Sequence, residues 1–311
     1  MTVIDWLLKS NTSLKYLVQR DLLGIPEEEL RKRRELILKR GFGLVLMKKQ
    51  DPDTYMWEGI YSPKYVSTHY TLWQLSQLGA PMDDERIEKA ILLVLDRMWK
   101  PNGLIEPDRY QDLGIVAMML RLAVEAELSD PRIRDMTDYI LAHRLDDGGW
   151  HCDRQQPKGS SRHTTLSVIE ALSRILGAGV LEPKEEIERA ILSGIEFILR
   201  ERLFHSERDV LNFDFPYGWR YDMLRALEAM ADYGFPLDAR MEEGLDLLVG
   251  RLDYYGRIRS DRRPKGRQHQ RYTRTNRFCP FNTHRVLRVL KRYDPDRYRS
   301  YTKRRIDRAV L

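Results

Sequence analysis

The sequence predicts an all-α protein, a six-hairpin (α/α)6 toroid with an inner and an outer ring of helices. Three observations support this prediction: helical spacing of apolar residues along most of the 311 residues, breaker turns at regular places, and a repeated pattern. Apolar residues that recur every three or four positions form one face of an amphipathic helix. Strictly alternating β-branched runs, which would indicate strands, are absent.

Apolar stripes and breakers divide the chain into about twelve helices, paired as six hairpins. Short turns at residues 79–81 and 234–236 each contain Gly and Pro, which end helices. First helices of the pairs are predicted to begin near Thr2, Val66, Arg109, Arg162, Tyr217 and Phe281. Second helices are predicted to begin near Pro26, Asp83, Pro131, Lys184, Leu237 and Asp294.

A long polar side chain recurs at the end of the second helix of successive pairs. These residues are Gln50, Arg97, Arg144, Arg202 and Arg251, separated by 47, 47, 58 and 49 residues. Three repeats then have glycine, one further residue and a bulky side chain at Ile105, Trp150 and Ile258. Glycine permits positive φ just past a helix end, and the bulky residue is expected to pack under the next hairpin. Six hairpins can close into a ring, so residues 1–311 are predicted to form one toroid domain.

One repeat carries a family resemblance. Tyr139, Ile140, Arg144, Gly148 and Trp150 resemble the QW motif of terpenoid cyclases, with Arg in place of Gln. The chain as a whole is similar to the terpenoid cyclase and protein prenyltransferase toroid superfamily, in a compact single-toroid form. The resemblance implies an enzyme of the prenyltransferase or terpenoid cyclase type, with an anionic, amphipathic, isoprenoid-type substrate in the central cavity.

Further strings resemble a group of bacterial proteins that consist of the toroid alone. They are the segments 20–23, 57–64 and 67–71, together with the opening Trp6. This second resemblance implies the toroid fold but does not indicate an activity. The catalytic signatures of the superfamily are missing. The chain has no Asp-x-Asp-Asp string, as in the cyclases, and neither cysteine has an Asp two positions before it, as in the protein prenyltransferases. We therefore predict no metal and no cofactor, and whether the protein is an enzyme stays open.

The predicted active site lies where the inner helices begin, because the first turns of a toroid's inner helices meet at one mouth. Three of the seven histidines fall at such positions, and helix N-termini favour anions. Histidine and carboxylate side chains can act as general acids or bases. The predicted catalytic residues are His69, Asp112, His163, Asp222 and His284. The predicted substrate-binding residues are Trp57, Tyr61, Lys64, Trp150, Trp219, Arg220, Tyr221 and Arg285.

Other interpretations of these residues stay open. Ser, Thr and Asp at helix starts also serve as caps, and His and aromatic rings also pack between hairpins. A zinc site at Cys152, Asp153 and His163 and a nucleophilic Cys152 are further alternatives, as is carbohydrate cleavage by Asp112 and Asp222. The alternative to an enzyme is a non-catalytic toroid scaffold that binds an anionic ligand, a peptide or nucleic acid.

Positive charge is concentrated in one segment. Residues 257–277 hold nine basic residues and one acid, a local net charge of +8 against +6 for the whole chain. This basic inserted loop is interpreted as a solvated surface segment, a lid over an anionic ligand, or a less favoured nucleic-acid contact through Tyr272 and His269. No apolar run approaches a membrane span, and two cysteines cannot form a disulfide framework, so we expect a cytoplasmic protein without a transmembrane segment.

Overall fold

A computed structural model describes residues 1–106, 109–152, 158–260 and 266–307. The regular secondary structure of the described residues is almost entirely helical, which confirms the predicted all-α class. The helices are α1 (Val3–Leu8), α2 (Thr12–Leu17), α3 (Glu27–Lys39), α4 (Gly41–Met47), α5 (Thr68–Gln77), α6 (Glu85–Met98), α7 (Leu113–Glu125), α8 (Arg132–Ala142), α9 (Arg162–Ala178), α10 (Lys184–Arg200), α11 (Met223–Tyr233), α12 (Glu242–Val249), α13 (Pro280–Tyr293) and α14 (Pro295–Lys303).

A short β-hairpin interrupts the helical pattern. Strand β1 (Leu104–Glu106) pairs antiparallel with β2 (Arg109–Tyr110). The prediction that a helix begins near Arg109 is therefore wrong, because Arg109 lies in this hairpin. Helix α7 begins at Leu113, where the Asp112 carboxylate accepts hydrogen bonds from the N–H groups of Gly114 and Ile115 and caps the helix.

The first hairpin consists of more and shorter helical segments than predicted. The helix expected from Thr2 consists of α1, α2 and a π-helical turn (Val18–Leu22), and Asn11 caps α2 by accepting from the N–H of Leu14. The helix expected from Pro26 consists of α3 and α4. The chain turns between these two helices at Gly41, whose φ of +64° lies in the left-handed region that glycine adopts readily.

The first helices of the hairpins are neighbours in space. Helices α5, α7, α9, α11 and α13 pack against one another in chain order, and α13 also contacts α2 and the π-helical turn. Helix α4 contacts both α2 and α5. The second helices α6, α8, α10 and α14 each pack on the helix that precedes them. Residues of α7 from Val116 to Val124 are all buried, as expected for a helix covered on every side.

The bulky residues of the predicted repeat join neighbouring hairpins. At two of these residues, Trp150 and Ile258, and also at Trp57 after the first hairpin, the backbone N–H donates to a threonine hydroxyl at the start of the first helix of the next hairpin. The pairs are Trp57 with Thr68 at 3.1 Å, Trp150 with Thr165 at 3.0 Å and Ile258 with Thr283 at 3.1 Å. The two indole N–H groups each donate at 2.8 Å to the carbonyl of a preceding helix, Trp57 to Leu46 and Trp150 to Ile140. Trp57 and Trp150 therefore hold hairpins together.

The described residues contain no helix that is both long and apolar enough to cross a bilayer. Both cysteines are free thiols, Cys152 exposed and Cys279 buried. The cytoplasmic location stays a prediction.

The hydroxyl of Thr165 is expected to matter more for stability than that of an equally buried threonine without such a partner. Thr165→Val deprives the Trp150 N–H of its acceptor and should lower the free energy of unfolding by about 1–3 kcal/mol. Thr137 is as buried, but its hydroxyl only donates to the Ile133 carbonyl of its own helix, so Thr137→Val should cost clearly less. Urea unfolding of both variants measures the difference, and equal losses would contradict this role for Thr165.

Candidate functional site

A cavity of about 520 Å³ lies near the ends of α5, α7, α9 and α11. Its lining includes Gln77 and Glu125, the last residues of α5 and α7, and Asp232 near the end of α11. Helix α13 contributes His284 and Arg285. The sequence analysis expected the site at the opposite ends, where these helices begin.

The cavity wall combines many charged side chains with apolar ones such as Val124, Phe215 and Phe281. Among the described residues that line it, six are arginines and seven are acids. The arginines are Arg20, Arg34, Arg121, Arg174, Arg285 and Arg288. The acids are Asp21, Glu27, Glu125, Glu127, Glu170, Glu228 and Asp232. A wall of this kind suits a polar ligand, since charged groups lose hydration when a hydrocarbon covers them.

One side of the wall is a buried ion network across three helices. Glu170 on α9 accepts from Nε and Nη2 of Arg225 on α11, both at 2.7 Å, and from Nη1 of Arg121 on α7 at 3.1 Å. Nε of Arg121 also donates to Glu125 at 2.9 Å. Burial alone would raise the pKa of Glu170, but the charges of Arg225 and Arg121 hold it below its ordinary value. Glu170 therefore stays ionised.

A second network joins α11 to α13. Arg285 Nε donates to Glu228 at 2.7 Å, and Arg288 Nη2 donates to Asp232 at 2.7 Å. Arg285 Nη2 lies 3.8 Å from Oδ1 of Asp222, which caps α11 by accepting from the Arg225 N–H. Burial raises the pKa of Asp222 to about 6, although the charge of Arg285 opposes this shift.

The π-helical turn adds a third charged group to the wall. Nε2 of His284 lies 2.9 Å from Oδ2 of Asp21, and Arg20 Nε donates to Oδ1 of the same carboxylate at 2.6 Å. Burial would raise the pKa of Asp21, but His284 and Arg20 together lower it well below its ordinary range. The predicted catalytic residue His284 thus faces the cavity beside an acid that the sequence analysis did not single out.

Some arginine side chains remain partly exposed in this wall, whereas most of its carboxylates are paired. Six of the seven carboxylates accept hydrogen bonds from arginine side chains. The side chains of Arg174, Arg20 and Arg34 line the cavity and are 48%, 36% and 31% exposed. Their guanidinium groups can donate to a ligand that brings acceptor atoms. Arg285 Nη2 and Ser173 Oγ also have no hydrogen-bond partner in the described chain, but protein atoms enclose them and they do not face the open space.

Five predicted site residues come together at the opposite end, where the inner helices begin. The Lys64 ammonium lies 5.9 Å from the ring centre of Tyr61 and 5.3 Å from that of Trp219. His163 packs edge-on against Trp219 at 5.1 Å, and its Nδ1 accepts from the Tyr221 N–H at 2.8 Å. These contacts form a cation and aromatic cluster.

Three further predicted residues lie near this cluster or in the core. Burial raises the pKa of the helix cap Asp112, while the charge of Lys64 lowers it. Arg220 is exposed, with its guanidinium 5.4 Å from the ring centre of Trp219. His69 is fully buried between Tyr61 and Tyr70.

The predicted residues therefore divide between two places. His284 and Arg285 line the cavity, Asp222 lies behind Arg285, and the others lie at the helix starts or between hairpins. The residues that sequence reasoning missed, notably Arg121, Glu170 and Arg225, each stand between two apolar neighbours within a helix. An arginine such as Arg121 inside the apolar run of α7 is the signal that could have identified the cavity wall.

The described part of the basic inserted loop packs against the body of the protein. His269 Nε2 lies 3.0 Å from the Thr71 hydroxyl, and the Tyr272 hydroxyl donates to Gln74 at 3.0 Å. Arg267 pairs with Glu58, and Arg257 is buried beside Asp253. The acid at 261 and the basic residues at 262, 263 and 265 lie outside the described residues.

In the described ranges, no group of three or more His, Cys, Asp or Glu side chains could hold a metal ion. Asp153 of the alternative zinc site lies outside these ranges. Comparison with models of protein families and with curated proteins returns no match to this chain.

The buried ion network is expected to be sensitive to loss of one charge. Glu170→Gln leaves Arg225 and Arg121 without their shared counterion and should cost about 3–5 kcal/mol of unfolding free energy. Glu196→Gln removes one partner of an exposed pair with Arg240 and should cost less than about 1 kcal/mol. Chemical denaturation compares the variants, and a loss at Glu170 no larger than at Glu196 would refute the role of this network.

His69 should make the protein less stable in acid. Burial lowers its pKa from 6.5 to about 4, and neither ring nitrogen has a hydrogen-bond partner in the described chain. The unfolded chain takes up the proton first, so stability is complete above pH 6.5 and is lost as the pH falls towards 4. The loss amounts to about 3 kcal/mol, at roughly 1.4 kcal/mol per pKa unit.

His69→Phe should remove this part of the acid sensitivity and cost little at pH 7, because no hydrogen bond is lost. Urea unfolding of wild type and variant at pH 7 and at about pH 4.5 tests this expectation. Parallel losses in the two proteins would show that His69 is not responsible.

Proposed function

We propose that the chain folds as a closed (α/α)6 toroid in a single domain, and that its central cavity binds a small, polar, anionic ligand. The order of helix contacts supports the ring, because α5, α7, α9, α11 and α13 follow one another and α13 returns to α2. The paired second helices then form the outer ring, as the repeat predicts.

The observation that carries the ligand class is the set of arginines that stay partly exposed in the cavity wall. The side chains of Arg174, Arg20 and Arg34 line the cavity and are 48%, 36% and 31% exposed. Six of the seven carboxylates in the wall already accept from arginines, whereas these guanidinium groups keep exposed N–H donors. Phosphate and carboxylate groups match them, because guanidinium binds such oxyanions through directed hydrogen bonds.

The isoprenoid substrate implied by the family resemblance fits this cavity less well. An isoprenoid diphosphate needs an anion site joined to a long apolar wall. The cavity supplies the anion site, but charged side chains from α7, α9, α11 and α13 surround it. Binding of a polar anion is therefore the function that the geometry favours over a prenyltransferase or cyclase reaction.

Calorimetry with pyrophosphate and farnesyl diphosphate tests the proposal at constant ionic strength. Pyrophosphate should bind, and the farnesyl chain should add little affinity because charged side chains interrupt the apolar part of the wall. Absence of binding by pyrophosphate and by a dicarboxylate would overturn the proposed function. Much tighter binding of farnesyl diphosphate would restore the isoprenoid hypothesis.

A pair of arginine variants locates the binding site. Arg174 lines the cavity 3.3 Å from Glu125, and Arg174→Gln should weaken pyrophosphate binding by roughly fivefold, the effect of one partly exposed charge. Arg189 is exposed on α10, outside the lining, so Arg189→Gln should leave the affinity unchanged. Equal effects would show that the anion binds through general surface charge.

A further inference from the structure

Tyr217 is held in the centre of the fold by a helix that is distant in sequence. Its backbone N–H donates to Gln77 Oε1 at 2.9 Å, and its carbonyl accepts from Gln77 Nε2 at 2.9 Å and from Trp73 Nε1 at 3.0 Å. The helix predicted to begin at Tyr217 begins instead at Met223, because residues 217–222 form the segment that reaches this position. The fold thus places Tyr217 at the cavity wall.

Charged groups of both signs surround the Tyr217 ring. The guanidinium carbons of Arg225 and Arg285 lie 5.0 and 4.7 Å from its centre. Burial raises the pKa of its hydroxyl above the ordinary value; the charges of Glu170 and Glu228 act in the same direction, and those of Arg121 and Arg225 oppose it. The hydroxyl therefore keeps its proton at neutral pH and remains a hydrogen-bond donor.

The Tyr217 hydroxyl has no hydrogen-bond partner in the described part of the chain, and the protein does not seal it from the cavity. Other buried tyrosines use this group within the protein; Tyr293, for example, donates to the Phe235 carbonyl at 3.2 Å. A donor that is fixed in position among three arginines, with no acceptor of its own, is available to a ligand.

We propose that the Tyr217 hydroxyl determines the specificity of the cavity by donating a hydrogen bond to an oxygen of the ligand's anionic group. The inference rests on the proposed anion site and narrows its ligands to oxyanions, that is, to phosphate or carboxylate compounds. A halide, which carries charge but offers no directed oxygen acceptors, gains less from this arrangement.

The test compares two tyrosine variants by calorimetry with pyrophosphate, malonate and iodide. Tyr217→Phe should bind the preferred oxyanion about tenfold or more weakly, the effect of losing a hydrogen bond to a charged group. Its melting temperature should stay unchanged, because the hydroxyl has no partner in the fold. Tyr293→Phe is the matched control, which should lower the melting temperature and leave the affinity as in the wild type.

The outcomes separate this inference from the function on which it rests. If Tyr217→Phe binds pyrophosphate and malonate as tightly as the wild type does, the role of Tyr217 is refuted while the anion site stands. The role of Tyr217 is also refuted if the wild type binds iodide as strongly as the oxyanions. The same holds if the melting temperature of Tyr217→Phe falls as much as that of Tyr293→Phe. If the wild type binds neither oxyanion, the proposed function fails as well. If pyrophosphate binds more tightly than malonate, the natural ligand belongs to the phosphate class. If malonate binds more tightly, it belongs to the carboxylate class.

Discussion

The buried pairing of arginines with carboxylates is the constraint on which the interior of this protein depends. Arg225 is fully buried and Arg121 nearly so, and both reach Glu170 on the helix between them. Removing a charge from water is costly, so such groups persist only when each has a partner in good geometry. The network therefore fixes the order and spacing of α7, α9 and α11, while leucine and isoleucine packing supplies the bulk of the burial.

The same constraint shapes the cavity. Most acids of the cavity wall are paired, while the Arg174 and Arg34 side chains keep part of their surface exposed. A cavity of about 520 Å³ with these exposed guanidinium groups is better suited to a compact oxyanion than to a hydrocarbon chain. In the cation and aromatic cluster at the opposite end, the Lys64 ammonium already lies against the rings of Tyr61 and Trp219. It is therefore less available to a ligand.

Periodicity predicted the helical class and most helix starts, because apolar spacing and caps are local properties of the sequence. Arg162 and Lys184 begin helices as predicted, whereas Tyr217 does not, since its place depends on Gln77 and Trp73 from another hairpin. The site was harder to predict for the same reason. Helix starts are visible in sequence, but the pairing of charges across helix ends appears only once the hairpins are packed.

The most direct measurement is a crystal structure of the protein grown with pyrophosphate. The account predicts density for the anion inside the cavity, within hydrogen-bond distance of the Tyr217 hydroxyl or the Arg174 guanidinium. An empty cavity with the anion held on the 257–277 segment or at the Lys64 cluster would contradict it.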